Sequence, residues 1–458
     1  MKQKKYLILI ILLLVCFFMV GCNNSQNADN KQNNPNNQDQ VDNTEKDTDL
    51  KYLLLSKNSE KQKYLSSGEY LNFVSKVRNF STDLTEKMFL EYNTSLDGMA
   101  VSPISIYMAL AMATSVAEPE AQTELAQLLG ISYEDIIEYT KYLHSRLNKE
   151  YYDENEKLLC SVNLNNSIWL NNSLKFKQEG LELLKESLYA DSYAAPFTTN
   201  NDAANKAVQD YICRNTKGLI NNEYNFSSDT LFLLINTLYL KDAWSKFGED
   251  LKFTANTYDF KNSNNSTKTI NLLMGEYING RVQSGDGFDY FYTNTAHNLM
   301  FYFIKPTTKS LEEIYNSNNL NMILNDTCFD GINTELKELY YTRCLFPEFE
   351  ASFNEDIVPL FKEKYGVTKI FRSDVANFDK VSNEKCFVNQ IIHQTKLAVD
   401  KTGVEGAAVT IIDVNCESAG PGETYTNLYY DFILDESFGF LVVRDNAILF
   451  SGVVNNLK

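Results

Sequence analysis

Residues 404–417 alternate with period two. Val404, Gly406, Ala408, Thr410, Ile412, Val414 and Cys416 form one set, and every member is small or apolar. Glu405, Ala407, Val409, Ile411, Asp413, Asn415 and Glu417 form the other, which is mixed and holds all the charges. A strand sends successive side chains to opposite faces, so the pattern predicts a strand with one dry face. Gly403, Gly406 and the adjacent Ala407 and Ala408 are nevertheless poor strand formers. They suit a segment that is mobile first and fits a narrow slot later.

The remaining patterns are simpler. Phe73, Val77, Phe80, Leu84 and Met88 recur at helical spacing and predict an amphipathic helix over 70–92. Ser102-Pro103 predicts a helix start, with serine as the cap and proline in the first turn, carrying Ile104, Met108 and Met112 inward. Another helix is expected over 119–129, stopped by Gly130. The near-continuous apolar run 231–240 suits a strand buried on both faces. Residues 298–304 and 345–349 read as further strands, the second weakened by Pro347. Residues 440–443 and 447–454 flank Asp445-Asn446 and predict a hairpin. Helical patterns gather in the first half and strands in the second, which favours an α+β arrangement over repeated βαβ units.

The two ends of the composition change this picture. Lys2, Lys4 and Lys5 precede an unbroken apolar run over 6–20, which is short for a membrane span and right for a signal core. The run ends in Met19-Val20-Gly21-Cys22, which resembles the lipobox of bacterial lipoproteins. That resemblance implies a signal peptide over 1–21 and lipidation of Cys22, hence an extracytoplasmic chain anchored to the cell membrane through lipid. Residues 23–48 hold nine asparagines and only Ala28 and Val41 as apolar side chains. Such a segment cannot offset its ordering entropy, so 22–48 reads as a tether of roughly 28 Å root-mean-square length. Residues 49–458 then read as one domain.

The net charge of −18 argues against nucleic acid as a partner, because phosphate binding needs clustered positive charge. Enzymatic readings fare poorly. His144, His297 and His393 are far apart, and no HExxH, GxSxG, Walker loop or GxGxxG occurs. Cys160, Cys213, Cys328, Cys344, Cys386 and Cys416 show neither metal nor disulfide spacing. No cofactor and no metal are expected. A lipid-anchored solute-binding protein would need two βα-rich lobes, whose patterning is missing.

The family likeness rests on several blocks in order. Gly403, Glu405, Ala407, Ala408 and Thr410 resemble the hinge of the serpins, a family of protease inhibitors. Val101-Ser102-Pro103-Ile104-Ser105-Ile106 resembles the family's FSPLSI helix start. Leu233-Leu234-Ile235-Asn236-Thr237-Leu238-Tyr239-Leu240-Lys241-Asp242-Ala243-Trp244 resembles its LVNAIYFKGKW strand. Phe346-Pro347-Glu348-Phe349 with Tyr365-Gly366-Val367, the strand at 388–393, and the C-terminal blocks 432–440 and 448–454 follow in family order. The resemblance covers about 70–458. It implies a serpin fold: helices around a large central mixed sheet, smaller sheets, and an exposed reactive loop at about 403–425.

It also implies roles. Ser102, Ser105, Asn236, Trp244 and His393 would belong to the polar cluster that governs opening of the sheet. Residues 403–410 (Gly403, Val404, Glu405, Gly406, Ala407, Ala408, Val409, Thr410) would be the hinge and the first part of the inserting loop. Counting fourteen residues on from Gly403 puts the bait bond between Glu417 and Ser418, with Cys416-Glu417 as the alternative register. An acidic residue before that bond implies a target protease that prefers acidic residues. The protein would trap it as a monomer by inserting the cleaved loop. The other reading is a non-inhibitory serpin-fold surface protein. Lys401 stands where the family usually has glutamate, so the usual hinge ion pair is in question, and Val404 and Gly406 also depart from the pattern.

Overall fold

Side-chain chemistry sets the helix starts. Helix α1 (Gly68–Tyr92) is capped by Ser67, whose hydroxyl accepts the Tyr70 N–H. Phe73, Val77, Phe80, Leu84 and Met88 are all buried on its inner face. Helix α2 (Pro103–Val116) begins at Ser102, and proline in its first turn costs no internal hydrogen bond. It is buried almost all round, because it runs beneath the central sheet. Helix α3 (Pro119–Leu129) ends at Gly130, whose left-handed φ of 64° closes the last turn. Three further helices follow: α4 (Tyr133–Leu147), α5 (Gln178–Leu188) and α6 (Asn201–Asn215).

The computed structural model describes residues 53–56, 65–93, 97–154, 156–244, 250–326, 331–372, 378–388, 390–405 and 425–457. All lie within the compact unit Asp47–Lys458. The leader, Cys22, the tether and residues 406–424 fall outside them.

The strands that build the sheets are β1 (Leu53–Ser56), β2 (Gly98–Val101), β3 (Lys149–Tyr152), β4 (Leu158–Asn171), β5 (Ala190–Ala195) and β6 (Phe232–Ala243). The second half adds β7 (Phe288–Asn294), β8 (Met300–Pro306), β9 (Glu338–Phe346), β10 (Phe349–Asp356), β11 (Ile392–Val399), β12 (Gly403–Val404), β13 (Thr426–Ile433), β14 (Phe438–Arg444) and β15 (Ala447–Val454). The central sheet is eight-stranded and ordered β1-β5-β4-β6-β12-β11-β10, with β3 also paired to β4. It is mixed, since β4 and β5 are parallel while β4 and β6 are antiparallel. A second sheet runs β7-β8-β14-β15-β2, and a third pairs β9 with β13 in parallel. Residues on one face of β6, such as Phe232 and Leu240, join the main core with α1, α2 and the second sheet. Leu233 and Ile235 on its other face pack on a separate cluster around Trp169 and Tyr211.

Four expectations shift. The run 231–240 does form a strand, but Leu233, Leu234, Ile235 and Asn236 are only partly buried, because the neighbouring position in the sheet is open beside them. Residues 345–349 are not one strand. The chain breaks at Pro347 and Glu348, where it leaves β9 for β10 in a different sheet. Strand β8 starts at Met300, since Asn298 occupies a turn with φ 65°. The strand before the hinge begins at Ile392 rather than at 388. The hairpin stands as expected: Asp445 and Asn446 both adopt left-handed φ, matching the twist of its strands.

Candidate functional site

The site is a slot in the central sheet. Strands β6 and β11 both run antiparallel to β12, so they are parallel to each other. Strand β12 separates them at the top by a single short step: Gly403 pairs with Ala243, and Val404 pairs with Asp242 and with Val399. Below that step no ladder joins β6 to β11 among the described residues. A cleft of about 120 Å³ lies there, between residues 233–238 of β6 and 391–396 beside β11, floored by Ser105, Ile106 and Leu110 of α2. An unfilled strand position inside a sheet leaves two rows of backbone donors and acceptors facing each other, which is costly.

The hinge at its mouth is held from several sides. Val404 is fully buried. Gly403 leaves no room for a side chain, since a Cβ there would sit 2.1 Å from the Asp242 carbonyl oxygen. The Trp244 indole donates to the Asp400 carbonyl at 2.6 Å, and its ring packs edge-on to Phe301 and Phe346. Lys401 pairs with Asp250 at 2.8 Å, so a carboxylate takes the place of the partner expected for a glutamate. Both side chains are about half exposed, so solvent screens this pair and it contributes little. Glu405 has φ 47°, where the chain turns out of the sheet. Its carboxyl is pushed up to about 7, mainly by burial, with Lys241, the Tyr239 hydroxyl and Lys396 opposing.

Half-way down the slot lies a polar group. The Ser102 N–H donates to His393 Nε2 at 3.0 Å, and the Ser102 and Ser105 hydroxyls bond at 2.9 Å. Burial pulls the His393 imidazole down to about 3, so it is a neutral acceptor. Asn236 lines the same cleft but turns to Asn166, donating to its Oδ1 at 2.7 Å. Asn236 Oδ1 and Thr237 Oγ1 are buried with no partner. Thus Ser102, Ser105 and His393 are brought together, Asn236 stands across the cleft from them, and Trp244 sits apart at the hinge. Gly406, Ala407, Ala408, Val409, Thr410, Cys416, Glu417 and Ser418 lie outside the described residues.

Sequence reasoning missed the cover of this slot. Leu219, Ile220, Tyr224 and Phe226, in the coil after α6, line the cleft. The Tyr224 hydroxyl donates to Gln394 Oε1 on β11, and the Tyr224 and Phe226 rings stack at 5.6 Å. No periodicity marks that coil, so only its aromatic content hinted at packing.

The site is thus an open strand position in a large mixed sheet, with the Gly403–Val404 step at its head. A family model described as serpin (serine protease inhibitor) matches residues 75–457. The chain belongs to the serpin family. It is 24% identical over 381 residues to an uncharacterized serpin-like protein of Acanthamoeba polyphaga mimivirus, covering 77% of this chain and 87% of that one. It is 23% identical over 413 residues to serine protease inhibitor 88Ea of Drosophila melanogaster, covering 85% and 91%. Among solved structures, the native state of the thermophilic serpin tengpin matches with a TM-score of 0.68 at 20% identity, over 89% of this chain and 100% of that one. Thyroxine-binding globulin complexed with thyroxine matches at 0.66 and 19% identity, over 84% and 99%.

Proposed function

We propose that the protein is a suicide inhibitor of an extracellular serine or cysteine endoprotease. The protease attacks the loop as a substrate, and the cleaved loop inserts between β6 and β11 before the acyl-enzyme hydrolyses. The observation that carries this reading is the slot itself, open below a hinge that has entered it by one step.

Register fixes where each residue would go. Continuing from Val404 opposite Asp242, Gly406 would face Leu240, Thr410 would face Asn236 and Val414 would face Phe232 at the end of β6. On the other side, continuing from Val404 opposite Val399, Thr410 would face His393. Thr410 would therefore bring a hydroxyl to the level of Asn236 Oδ1, which lacks a partner. The strand would end at about Val414, three residues short of the proposed bait bond at Glu417-Ser418, or two short in the alternative register Cys416-Glu417.

Magnitudes say what drives insertion. Ordering one backbone residue costs ~1–2 kcal/mol. Its two new hydrogen bonds return about 0.5–1.5 kcal/mol each, so backbone pairing alone is nearly neutral. Burial of Ile412 and Val414 contributes ~1.5–3 kcal/mol each and tips the balance. The inward set carries no charge that would oppose it.

We place the protein outside the cytoplasm as a monomer, anchored through lipid on Cys22 and held off the membrane by residues 22–48. Its target prefers an acidic residue before the cut. The test is incubation with a panel of such proteases, followed by denaturing electrophoresis and sequencing of the cleaved product. The expected result is an SDS-stable adduct and a first cut within 414–420. The fold also serves a thyroxine-binding globulin whose structure is a complex with thyroxine. Clean cleavage with no adduct from any protease would leave a non-inhibitory surface protein instead.

A further inference from the structure

Three residues with metal-binding chemistry meet at the head of the slot, from places far apart in the chain. Cys160 on β4 lies one step past the Ser161–Lys241 pair, so it stands across the sheet from Asp242 on β6. His297 lies in the turn between β7 and β8. The thiol sulfur, a carboxylate oxygen and a ring nitrogen all lie within 4.8 Å of one another, and all three residues are buried. His297 Nδ1 is 2.7 Å from Asp242 Oδ1. The carboxylate also accepts the backbone N–H groups of Ala243 and His297 at 2.9 and 3.1 Å, and the Thr295 hydroxyl.

A fourth group supplies an independent pointer. Arg444, at the end of β14, reaches the Cys160 thiol and is only 7% exposed, yet its Nη1 is buried with no hydrogen-bond partner. A guanidinium nitrogen left bare in such a place calls for an acceptor that the protein does not provide.

We propose that Cys160, Asp242 and His297 form a three-residue site for a divalent metal of the zinc class, with Arg444 donating to an anionic fourth ligand such as hydroxide or chloride. One thiolate, one imidazole and one carboxylate are a borderline-soft donor set that suits zinc. The thiolate and carboxylate together neutralise a divalent cation. The guanidinium charge is then balanced by the anionic fourth ligand. Binding needs the thiolate, so the Cys160 proton is released to solvent, while the imidazole keeps its proton on the ring nitrogen that does not face the metal. The Tyr151 ring, 41% exposed, stacks on the His297 imidazole at 4.8 Å. Asp242 is also the register partner of Val404, so the metal ties β4, β6 and the β7–β8 turn together where the hinge enters. That it restrains loop insertion rests on the proposed function; that it binds does not.

The test uses the full-length protein, stripped with chelator and titrated with Co²⁺. A single equivalent is expected to give thiolate-to-cobalt charge-transfer absorption with tetrahedral visible bands, both displaced by Zn²⁺. C160S abolishes the charge-transfer band. H297Q and R444Q weaken binding by about tenfold or more, the usual scale for losing a ligand or its supporting partner. Zn²⁺ raises the Tm of the wild type but not of C160S, and near-ultraviolet circular dichroism of the metal-free variants shows whether they are folded. Wild-type protein with neither a cobalt band nor a zinc-dependent Tm overturns the site, as does a band that survives C160S. Protease trapping is measured in parallel: its absence with metal binding intact defeats the inhibitor reading and leaves the site standing.

Discussion

At the residue scale the hinge depends on one carboxyl. Glu405 sits where the chain leaves the sheet, between Lys241 on one strand and Lys396 on the other, and burial raises it from 4.5 to about 7. A folded-state value above the unfolded one means that the docked hinge binds the proton more tightly. Its contribution is full below about pH 4.5 and is lost as the pH rises through about 7. Hinge docking should therefore loosen between slightly acid and neutral conditions. Glu405→Gln should remove that dependence and keep the hinge docked at neutral pH. Hydrogen exchange at the Gly403 to Glu405 amides across this pH range checks it; protection that stays flat in the wild type refutes it.

At the element scale, parity decides what the slot will accept. Residues facing the same way as Val404 would point into the core, and their neighbours would point towards the coil after α6. Thr410→Arg should thus block insertion beside Asn236 and His393 and turn the protein into a plain substrate, since an unpaired buried charge costs several kcal/mol. Val409→Arg, one residue away on the other face, should leave adduct formation largely intact. Equal effects from the two would show that the register is wrong. The cover gives a second prediction. Tyr224→Phe removes its bond to Gln394, worth about 0.5–1.5 kcal/mol, and should speed spontaneous loss of inhibitory activity on warming. An unchanged rate would mean that the coil after α6 does not gate the slot.

Much of this element-scale picture was legible in the chain. Ser67 escaped notice, but Ser102-Pro103 and Gly130 marked their helix ends because capping is local chemistry. The apolar run behind β6 marked one wall of the slot, while the alternation after Gly403 lies almost wholly outside the described residues. The break at Pro347 was misjudged because a change of sheet leaves no trace in periodicity. The convergence of Cys160, Asp242 and His297 was invisible for a similar reason, since cross-strand register brings together residues with no fixed spacing.

At the scale of the whole molecule, the strand position between β6 and β11 is open. Nicking within 414–420 should let the loop fill it. Burial of Ile412 and Val414 at ~1.5–3 kcal/mol each, with about 2 °C per kcal/mol for a long chain, predicts a Tm rise of several degrees or more. Calorimetry of intact and nicked protein checks it, and equal melting temperatures would mean that the loop stays outside. The large negative charge adds a kinetic bias, because a target with a basic face would be drawn in faster at low salt.

The chain holds two tryptophans, and they report on different parts of the molecule. Trp169 is fixed between Tyr193 and Tyr211 beneath α6. Trp244 is bonded to the carbonyl of Asp400, at the base of the hinge. Fluorescence from the first is a steady background, while emission from the second follows every change in the segment that leads into the slot. The molecule thus carries its own optical gauge, able to tell a docked hinge from a displaced one in real time without a label.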